Sequence, residues 1–371
     1  PGMYTRVTAL YLFALCSAFL LAPAAPGGAA GGRSADDTDL RLIAVFLPTP
    51  ADDYALAEQV VAAAEAAAEE QDELEVRVQT LPADSEDPDA QTMSAAASDE
   101  RVEALVVLGA PLIAESASVA RAHPDLPVLL VDGATAEQAA DRAGDEPAGE
   151  ETATGDLSNM VSIRVNRREQ AFLAGYIAGL RLLTLQHGAA VDPPEKGGLL
   201  LEETFPEITT VLESGYRLGL KAAASEHEIA SATIPRDADA EEARAAVGEL
   251  AEADIPVVLS AVYARRAAVL QAAEENELEL LWLDDRRPES ARDHTLAAIA
   301  ADVGPSTAAA LTTILEEGPE AAESVVLDFA SGALTLNTDF DRFEDVFDEE
   351  ERRRIEHMAE RLRTGDLKLP M

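Results

Sequence analysis

The sequence predicts an α/β protein of two lobes, each built around a parallel β-sheet with helices on both faces. Short apolar segments of strand length alternate with helical segments along most of the 371 residues, a pattern typical of parallel βαβ units. The alternation runs through two successive series of similar size, and a polar segment at 135–159 lies between them. Two such series indicate two doubly wound lobes rather than one continuous sheet.

The first series follows a polar linker that ends near residue 39. Its strands are predicted at 42–48, 74–81, 104–109 and 127–133, and its helices at 53–70, 90–98 and 113–122. The second series has strands predicted at 161–165, 197–203, 229–235, 255–261 and 278–285, with helices at 166–183, 207–225, 240–252 and 263–275. Buried strands of a parallel sheet read as continuous apolar runs, and most of these strands do.

The remaining chain is assigned to the lobes by its position after these series. Lobe one is expected to comprise 40–160 with 295–320, and lobe two 161–290 with 321–371. This division requires three crossings between the lobes, which we expect near 132–165, 284–295 and 320–326.

Two glycines interrupt the helix at 166–183, each at a cost of about 1 kcal/mol relative to alanine. Gly175 and Gly179 are four residues apart and therefore share one face. We expect this face to pack closely against a neighbouring backbone. A membrane dimer motif is the rival interpretation, and Arg167, Arg168 and Arg181 speak against it.

The N-terminal region has the features of a secretory signal. Arg6 precedes an apolar run at 7–21, and 22–24 (Ala-Pro-Ala) is a cleavage candidate. Residues 1–24 are therefore predicted to be a signal peptide and 25–39 a flexible linker. The expected location is outside the cytoplasm, either periplasmic or at the cell surface.

Cys16 is the one cysteine of the chain and lies inside the predicted signal. Lipid attachment at Cys16 is the alternative to removal of the signal at 22–24, but Leu15 stands where a lipoprotein signal has a small residue. Once the signal is removed, disulfides, thiol catalysis and cysteine metal sites are excluded.

The formal net charge is −42, from 70 acidic and 28 basic residues. Such a charge argues against a nucleic-acid partner, because phosphate binding needs a basic face. The acidic residues are spread over nearly every helix, which favours a solvated surface suited to high salt. A specific cationic partner is the other interpretation of the charge.

Signals for catalysis are weak. The chain has no P-loop, no GxGxxG, no HExxH and no nucleophile elbow. Its five histidines are dispersed without metal-ligand spacing. No catalytic residue, metal site or cofactor is predicted, and an enzyme is the least favoured class.

Several segments resemble the basic membrane lipoprotein family in their order along the chain. They are "VLLVDG" at 128–133, "NMVSIRVNRREQAFLAGYIAGL" at 159–180, "KGGLLLEETFPEITTVLESGYRLGLKAA" at 196–223, the segment 278–318 and "AERLRTGDLKLP" at 359–370. The third segment matches the family at Pro206, Ile208, Gly215, Tyr216, Gly219 and Lys221.

The resemblance implies a type I periplasmic-binding-protein fold and a function as the substrate-binding protein of an ABC transporter. Members of the family include receptors for purine nucleosides. The implied partners are a small molecule, held between the lobes, and a transporter permease. Contact with a membrane is expected only through an anchor.

The sequence also departs from the family's pattern. The glycine pair before the matched proline is replaced by Leu201 and Glu202, and the glycine-rich turn after "VVLSA" is replaced by "VYARRAA" at 262–268. The family's serine and lysine fall at Ala298 and Ala301, and the resemblance implies that this lysine helps to hold a nucleoside. A purine nucleoside is therefore in doubt as the ligand, and a sensor or structural relative that has lost its ligand is the alternative function.

Five residues are the candidates for ligand binding, namely Asp53, Tyr54, Phe205, Tyr263 and Asp284. Asp284 follows a predicted strand, and the resemblance implies that it accepts hydrogen bonds from sugar hydroxyls. Tyr54 has a flat ring suited to stacking on a planar ligand. Phe205 and Tyr263 follow strands of the second series, so we expect them at the same cleft. The alternatives are helix capping for Asp53 and Asp284, and packing for Tyr54.

Overall fold

The computed structural model describes residues 40–48, 55–71, 73–81, 88–109, 112–133, 157–188, 195–203, 206–223, 227–235, 238–262, 265–283 and 293–369. All of them belong to one compact unit, Asp39–Met371. None of the helices in these ranges combines the length and the apolar composition that crossing a membrane requires.

The described elements follow the predicted alternation of strands and helices. The strands are β1 (Arg41–Leu47), β2 (Leu74–Thr80), β3 (Val102–Leu108), β4 (Val128–Val131), β5 (Met160–Val165), β6 (Lys196–Glu202), β7 (Glu228–Ile234), β8 (Val257–Ala261), β9 (Glu279–Leu283), β10 (Thr295–Ala301), β11 (Val325–Leu327) and β12 (Leu334–Asn337). The helices are α1 (Ala55–Glu69), α2 (Pro88–Ala97), α3 (Ile113–Ala122), α4 (Arg167–Gly188), α5 (Pro206–Ala223), α6 (Ala240–Glu252), α7 (Arg266–Glu275), α8 (Gly304–Glu317), α9 (Asp341–Val346) and α10 (Glu349–Arg363).

The strands form two six-stranded sheets with the same winding order. Sheet one has the order β11-β5-β4-β3-β1-β2, and sheet two has the order β12-β10-β9-β8-β6-β7. All neighbours are parallel except β12, which runs antiparallel to β10. In each sheet the first strand lies between the second and the third, as expected for doubly wound sheets. This architecture confirms the predicted fold class, and we call the two sheets with their helices lobe one and lobe two.

The chain crosses between the two sheets three times. It leaves sheet one after β5 at Asn166, returns after β10 through 302–303, and leaves again between β11 and β12 through 328–333. The number of crossings agrees with the sequence analysis, but their positions differ.

Three strands, β5, β10 and β11, lie in the sheet opposite to the expected one. β5 was expected to open lobe two, yet Val161 pairs with Leu129 of sheet one. β10 was expected in lobe one, yet Ala298 pairs with Trp282 of sheet two. Sequence patterns reveal a strand but not its partner. The polar segment before β5 is an insertion within the β4–β5 connection, and it does not mark a change of lobe.

The segments that follow β10 are divided between the two lobes. Helix α8, expected in lobe one, does pack there against α1 and sheet one. β11 was expected in lobe two, but it extends sheet one, where Val326 pairs with Arg164. The chain therefore returns to lobe two only with β12, later than the sequence analysis placed the third crossing.

Helices α4 and α5 pack with their backbones in contact. A Cβ atom on Gly175 would meet the carbonyl oxygen of Tyr216, and one on Gly219 would meet the carbonyl oxygen of Phe172. Gly179 similarly faces α5. The expectation that the glycines permit close packing is confirmed, and the neighbour is α5.

A buried ion-pair cluster stabilises the N-terminal edge of sheet two. Glu279, at the start of β9, accepts hydrogen bonds from Nε and Nη2 of Arg181 at 2.7 and 2.8 Å, and from Nε of Arg342 at 2.9 Å. Each carboxylate oxygen has a cationic donor, as a buried charge requires. The cluster holds α4 and α9 against the N-terminal edge of sheet two, away from the crossings.

Candidate functional site

The crossings lie at the C-terminal edges of both sheets. β5, β10 and β11 each end directly before a crossing. Parallel strands place all their carboxyl ends at one edge, so the βα connections of each lobe are gathered there too. This edge is where doubly wound sheets bind ligands.

The five predicted ligand residues lie outside the described residues. Their places along the chain are nevertheless fixed by the described elements. Asp53 and Tyr54 stand between β1 and α1, Tyr263 stands between β8 and α7, Phe205 directly precedes α5, and Asp284 directly follows β9. All five therefore fall in segments that leave the carboxyl end of a parallel strand.

Asp132 lies at the same edge of sheet one and was not among the predicted ligand residues. It follows β4, is 8% exposed, and has a left-handed backbone with φ of 52°. Such a conformation is uncommon for a residue with a side chain. The signal in the sequence was the aspartate directly after the apolar run "VLLV".

Asp132 forms a buried ion pair with Arg167, the first residue of α4. Nε of Arg167 donates to Oδ1 of Asp132 at 3.2 Å, and Nη2 donates to Oδ2. Nη1 of Arg167 donates to Oε1 of Gln170 at 2.9 Å. Nε2 of Gln170 in turn donates to the carbonyl oxygen of Ile299 in β10, at 3.0 Å.

Gln59 of α1 binds the backbone of the second crossing. Its Nε2 donates to the carbonyl oxygen of Ala301 at 3.1 Å, and its Oε1 accepts from the backbone N–H of Val303 at 2.7 Å. The carboxamide of Gln59 thus binds a backbone carbonyl directly before Asp302 and a backbone N–H directly after it. These bonds attach the crossing to lobe one.

Glu169 of α4 binds the third crossing. Its Oε2 accepts from the backbone N–H of Phe329 at 3.1 Å, and Phe329 is fully buried. Burial raises the pKa of the Glu169 carboxyl, the nearby charge of Asp328 raises it further, and the bond from Phe329 acts in the opposite direction. The backbone N–H of Asn166 donates to the carbonyl oxygen of Leu327 at 2.8 Å, which joins the first crossing to the third.

Charged residues occupy the C-terminal edge of sheet two where the resemblance places glycines. Glu202 ends β6 and is 7% exposed. Arg265 precedes α7 with a left-handed φ of 58°, and its Nε donates to the carbonyl oxygen of Ala238. The guanidinium of Arg266 lies 4.9 Å from the centroid of the Trp282 ring, within cation–π range.

Ala298 and Ala301 are the positions where the resemblance places serine and lysine. Both lie in β10 and are buried, and Ala301 is its last residue. A methyl group at this strand end brings neither charge nor hydrogen-bonding capacity to the edge. Any polar recognition beside β10 must come from other side chains.

Away from the crossings, the described residues line a surface cavity but form no metal site. Among the described residues, no three His, Cys, Asp or Glu side chains are grouped so that they could hold a metal ion. A surface cavity of about 750 Å³ lies at the N-terminal edge of sheet one, beside Asp99, Glu103 and Asp125. Asp99 and Glu103 are already paired with Arg101 and Arg41. The cavity is remote from the crossings.

Solved structures that share the fold include solute-binding proteins of ABC transporters and transcription regulators. A solute-binding protein of an ABC transporter system from Aeropyrum pernix K1 superposes with a TM-score of 0.71 at 16% identity, over 89% of this chain and 93% of that one. One from Conexibacter woesei DSM 14684 gives 0.59 at 18% identity, over 89% and 98%. One from Agrobacterium vitis, bound to α-D-tagatopyranose, gives 0.56 at 15% identity, over 84% and 98%.

At these identities the structural likeness shows the fold alone. A comparison with curated protein sequences gives no match. The family model described as "ABC transporter substrate-binding protein PnrA-like", however, matches residues 40–367, which is nearly all of the chain after the predicted linker. With the two wound sheets and the edge they share at the crossings, this match shows that the chain belongs to the PnrA-like family of ABC transporter substrate-binding proteins.

Proposed function

We propose that this protein is an exported solute-binding protein that holds a nucleoside-like small molecule between its two lobes and presents it to an ABC transporter permease. Family membership supports the role in transport. The three crossings at the C-terminal edges support a site between the lobes, since they allow the sheets to rotate about a common hinge.

One observation carries the proposed location of the site. All five predicted residues fall in connections that leave the carboxyl ends of parallel strands, two in lobe one and three in lobe two. Asp53 and Asp284 are 231 positions apart along the chain, yet each falls in a connection that follows a parallel strand of its own lobe. This common position along the chain supports a site between the C-terminal edges of the two sheets.

The proposed chemistry suits a ligand with a planar ring and a sugar. The Asp284 carboxylate has no donor when ionised and accepts from two hydroxyls at once, which matches a ribose diol. Tyr54 and Phe205 offer rings for stacking on a base. Asp53 and Tyr263 provide further polar contacts at the two rims.

Two described residues at the C-terminal edge of sheet two bear on which ligand the protein binds. Ala301 cannot supply the charge that the resemblance implies at this position, and Glu202 adds a carboxylate where the family has glycine. We therefore propose a preference that differs from that of the purine nucleoside receptors, or a lower affinity for the same ligands.

A ligand-free sensor or structural relative is the second candidate, and one observation favours it. Arg265 is anchored to Ala238, and Arg266 lies over Trp282, so both arginines contact lobe two itself where the family has a glycine-rich turn. Side chains that are already engaged in this way reduce the room for a ligand at that rim.

Two measurements decide between the candidates. Native mass spectrometry of the purified protein would reveal a retained molecule, and a thermal-shift screen would test nucleosides, bases and sugars separately. A retained nucleoside, or a rise in melting temperature with nucleosides alone, is expected for the proposed receptor. A protein that carries no small molecule and responds to none of the three classes would support the ligand-free alternative.

Export is tested independently of binding. Expression of the complete chain in a bacterium should yield a protein that begins near residue 25 and is recovered outside the cytoplasm. Recovery of the uncleaved chain from the cytoplasm would contradict this part of the proposal. Incorporation of a labelled fatty acid would instead reveal an anchor at Cys16.

A further inference from the structure

A bidentate ion pair joins the two lobes beside the first crossing. Asp132 belongs to sheet one, whereas Arg167 begins α4, the helix that packs against sheet two and α5. Their side chains are only 10% and 5% exposed, respectively. The pair is therefore shielded from water, and its geometry is set by the relative position of the lobes.

The contact continues into sheet two through a buried carboxamide. Gln170 is fully buried, accepts from Arg167 at 2.9 Å, and donates to the carbonyl oxygen of Ile299 at 3.0 Å. An unbroken series of hydrogen bonds therefore runs from the end of β4 in lobe one to β10 in lobe two. No other described interlobe contact pairs two buried opposite charges.

Such a pair is sensitive to rotation at the hinge. Two parallel N–H to oxygen bonds require the guanidinium and the carboxylate to be nearly coplanar. The crossing at Asn166 is the residue directly before Arg167, so rotation there carries the guanidinium away from Asp132. Separating the two buried charges would therefore be unfavourable.

We infer that Asp132, Arg167 and Gln170 form an interlobe latch that sets the angle between the lobes. The latch holds the arrangement in which the pair is intact, and any rotation that opens or closes the cleft must exchange or realign these bonds. Its role in transport rests on the proposed function, because only a binding protein uses closure. The latch itself can be tested on the protein alone.

The interlobe distance distribution tests the latch without any ligand. Spin labels are placed on exposed helix positions by Ala66→Cys in lobe one and Ala245→Cys in lobe two, with Cys16→Ser to leave no other thiol. Pulsed electron paramagnetic resonance then measures the distance in the full chain. The parent should give one narrow distribution.

Asp132→Asn keeps the shape of the side chain and removes its charge. The substitution should change the ratio between the latched and unlatched arrangements by at least about ten-fold. This change would appear as a broader or displaced distribution of the distance between the spin labels. Glu213→Gln is the matched control, because its pair with Arg217 at 2.6 Å is exposed and lies within α5. The control should reproduce the parent.

A second variant covers the case in which Asp132→Asn does not fold, as judged by circular dichroism. Gln170→Leu removes the carboxamide without leaving a new charge, and it should also broaden the distribution. Parent-like distributions in every folded variant of Asp132 and Gln170 would overturn the latch. Failure of the proposed function would appear separately, as absence of ligand binding in the parent with its distance distribution unchanged.

Discussion

Charged side chains at the C-terminal edge of sheet two distinguish this chain at the scale of single residues. Arg265 adopts a left-handed conformation that a glycine would tolerate without strain, yet it is held there by its bond to Ala238. The guanidinium carbon of Arg266 lies over the Trp282 ring, 4.9 Å from its centroid, which is within the range of a cation–π contact. Arg265 and Arg266, which stand where the resemblance places a glycine-rich turn, therefore bring positive charge to the C-terminal edge of sheet two and leave its backbone intact.

The ion pair between Asp99 and Arg101 gives a testable prediction for the pKa of a surface carboxyl. The side-chain and backbone hydrogen bonds from Arg101 lower the pKa of Asp99 to about 2, from an ordinary value of 3.8. Because the folded-state pKa lies below the unfolded value, the pair stabilises the folded chain above pH 3.8, and this contribution is lost as the pH falls through about 2. Nuclear magnetic resonance titration should find the low pKa.

Arg101→Ala should return the pKa of Asp99 toward 3.8. Arg217→Ala removes an unrelated exposed pair and should leave the value unchanged. An Asp99 carboxyl that titrates near 3.8 in the parent would show that the hydrogen bonds from Arg101 are not maintained in solution.

The sequence identified strand ends well but not the contacts between them. Asp284 could be singled out because it follows a continuous apolar run, and the structure ends β9 one residue before it. The pair Asp132–Arg167 could not be predicted, since it depends on β4 and β5 being neighbours across a polar insertion. Gln59 gave no signal either, because a glutamine in a helical pattern reads as an ordinary solvated residue.

Helices α4 and α5 show what glycine contributes at the scale of secondary structure. Each has two glycines four residues apart, Gly175 and Gly179 in α4, and Gly215 and Gly219 in α5, and all four face the partner helix. The cost of each glycine to the isolated helix is offset by dispersion contacts between backbones that side chains would separate. Tyr216 is fully buried beside this interface.

Alanine at these glycines should therefore destabilise the protein. A Cβ on Gly175 or Gly219 would collide with backbone atoms, which cannot turn aside as a side chain can. We expect Gly175→Ala and Gly219→Ala each to lower the free energy of unfolding by about 1–3 kcal/mol, measured by chemical denaturation.

Gly248→Ala is the matched control, since a Cβ there has nothing within 4 Å. It should raise the free energy of unfolding by about 0.5–1 kcal/mol, because alanine favours the helix. A loss of stability at Gly248 equal to that at Gly175 would contradict this account, because alanine would then be unfavourable even where its Cβ meets no neighbour.

Predicted and observed elements agree more closely than predicted and observed pairings. β5 was predicted at 161–165 and occupies Met160–Val165, because Val161, Ile163 and Val165 recur at every second position, as in a strand. Its sheet was predicted wrongly, and so was that of β10. The apolar pattern of a strand depends on its burial alone, whereas the sheet that it joins depends on which distant strand lies beside it. In addition, the chain changes lobes at short segments such as 302–303, where its composition does not change.

At the scale of the whole molecule, the net charge of −42 is the dominant property. Mutual repulsion among 70 acidic residues should weaken the folded state at low ionic strength. Raising salt from 0.1 M to 1 M shortens the screening length from about 10 Å to about 3 Å. The melting temperature should therefore rise between 0.1 M and 1 M NaCl, as measured by calorimetry.

A constant or falling melting temperature over this range would contradict the interpretation of a surface suited to high salt. Sucrose at matched osmolarity provides the control, because it favours the compact state without screening charge.

The central claim is that a small molecule binds between the lobes with Asp284 accepting its hydroxyls. Isothermal titration calorimetry with a panel of nucleosides, on the parent, Asp284→Ala and Asp285→Ala, tests it most directly. Charge-assisted hydrogen bonds contribute about 1.5–3 kcal/mol each, so Asp284→Ala should weaken binding by about ten- to hundred-fold. Asp285→Ala should have a smaller effect, because only Asp284 stands at the position that the resemblance assigns to the hydroxyl-binding aspartate. Equal affinities for the parent and Asp284→Ala, or no binding by the parent, would contradict the claim.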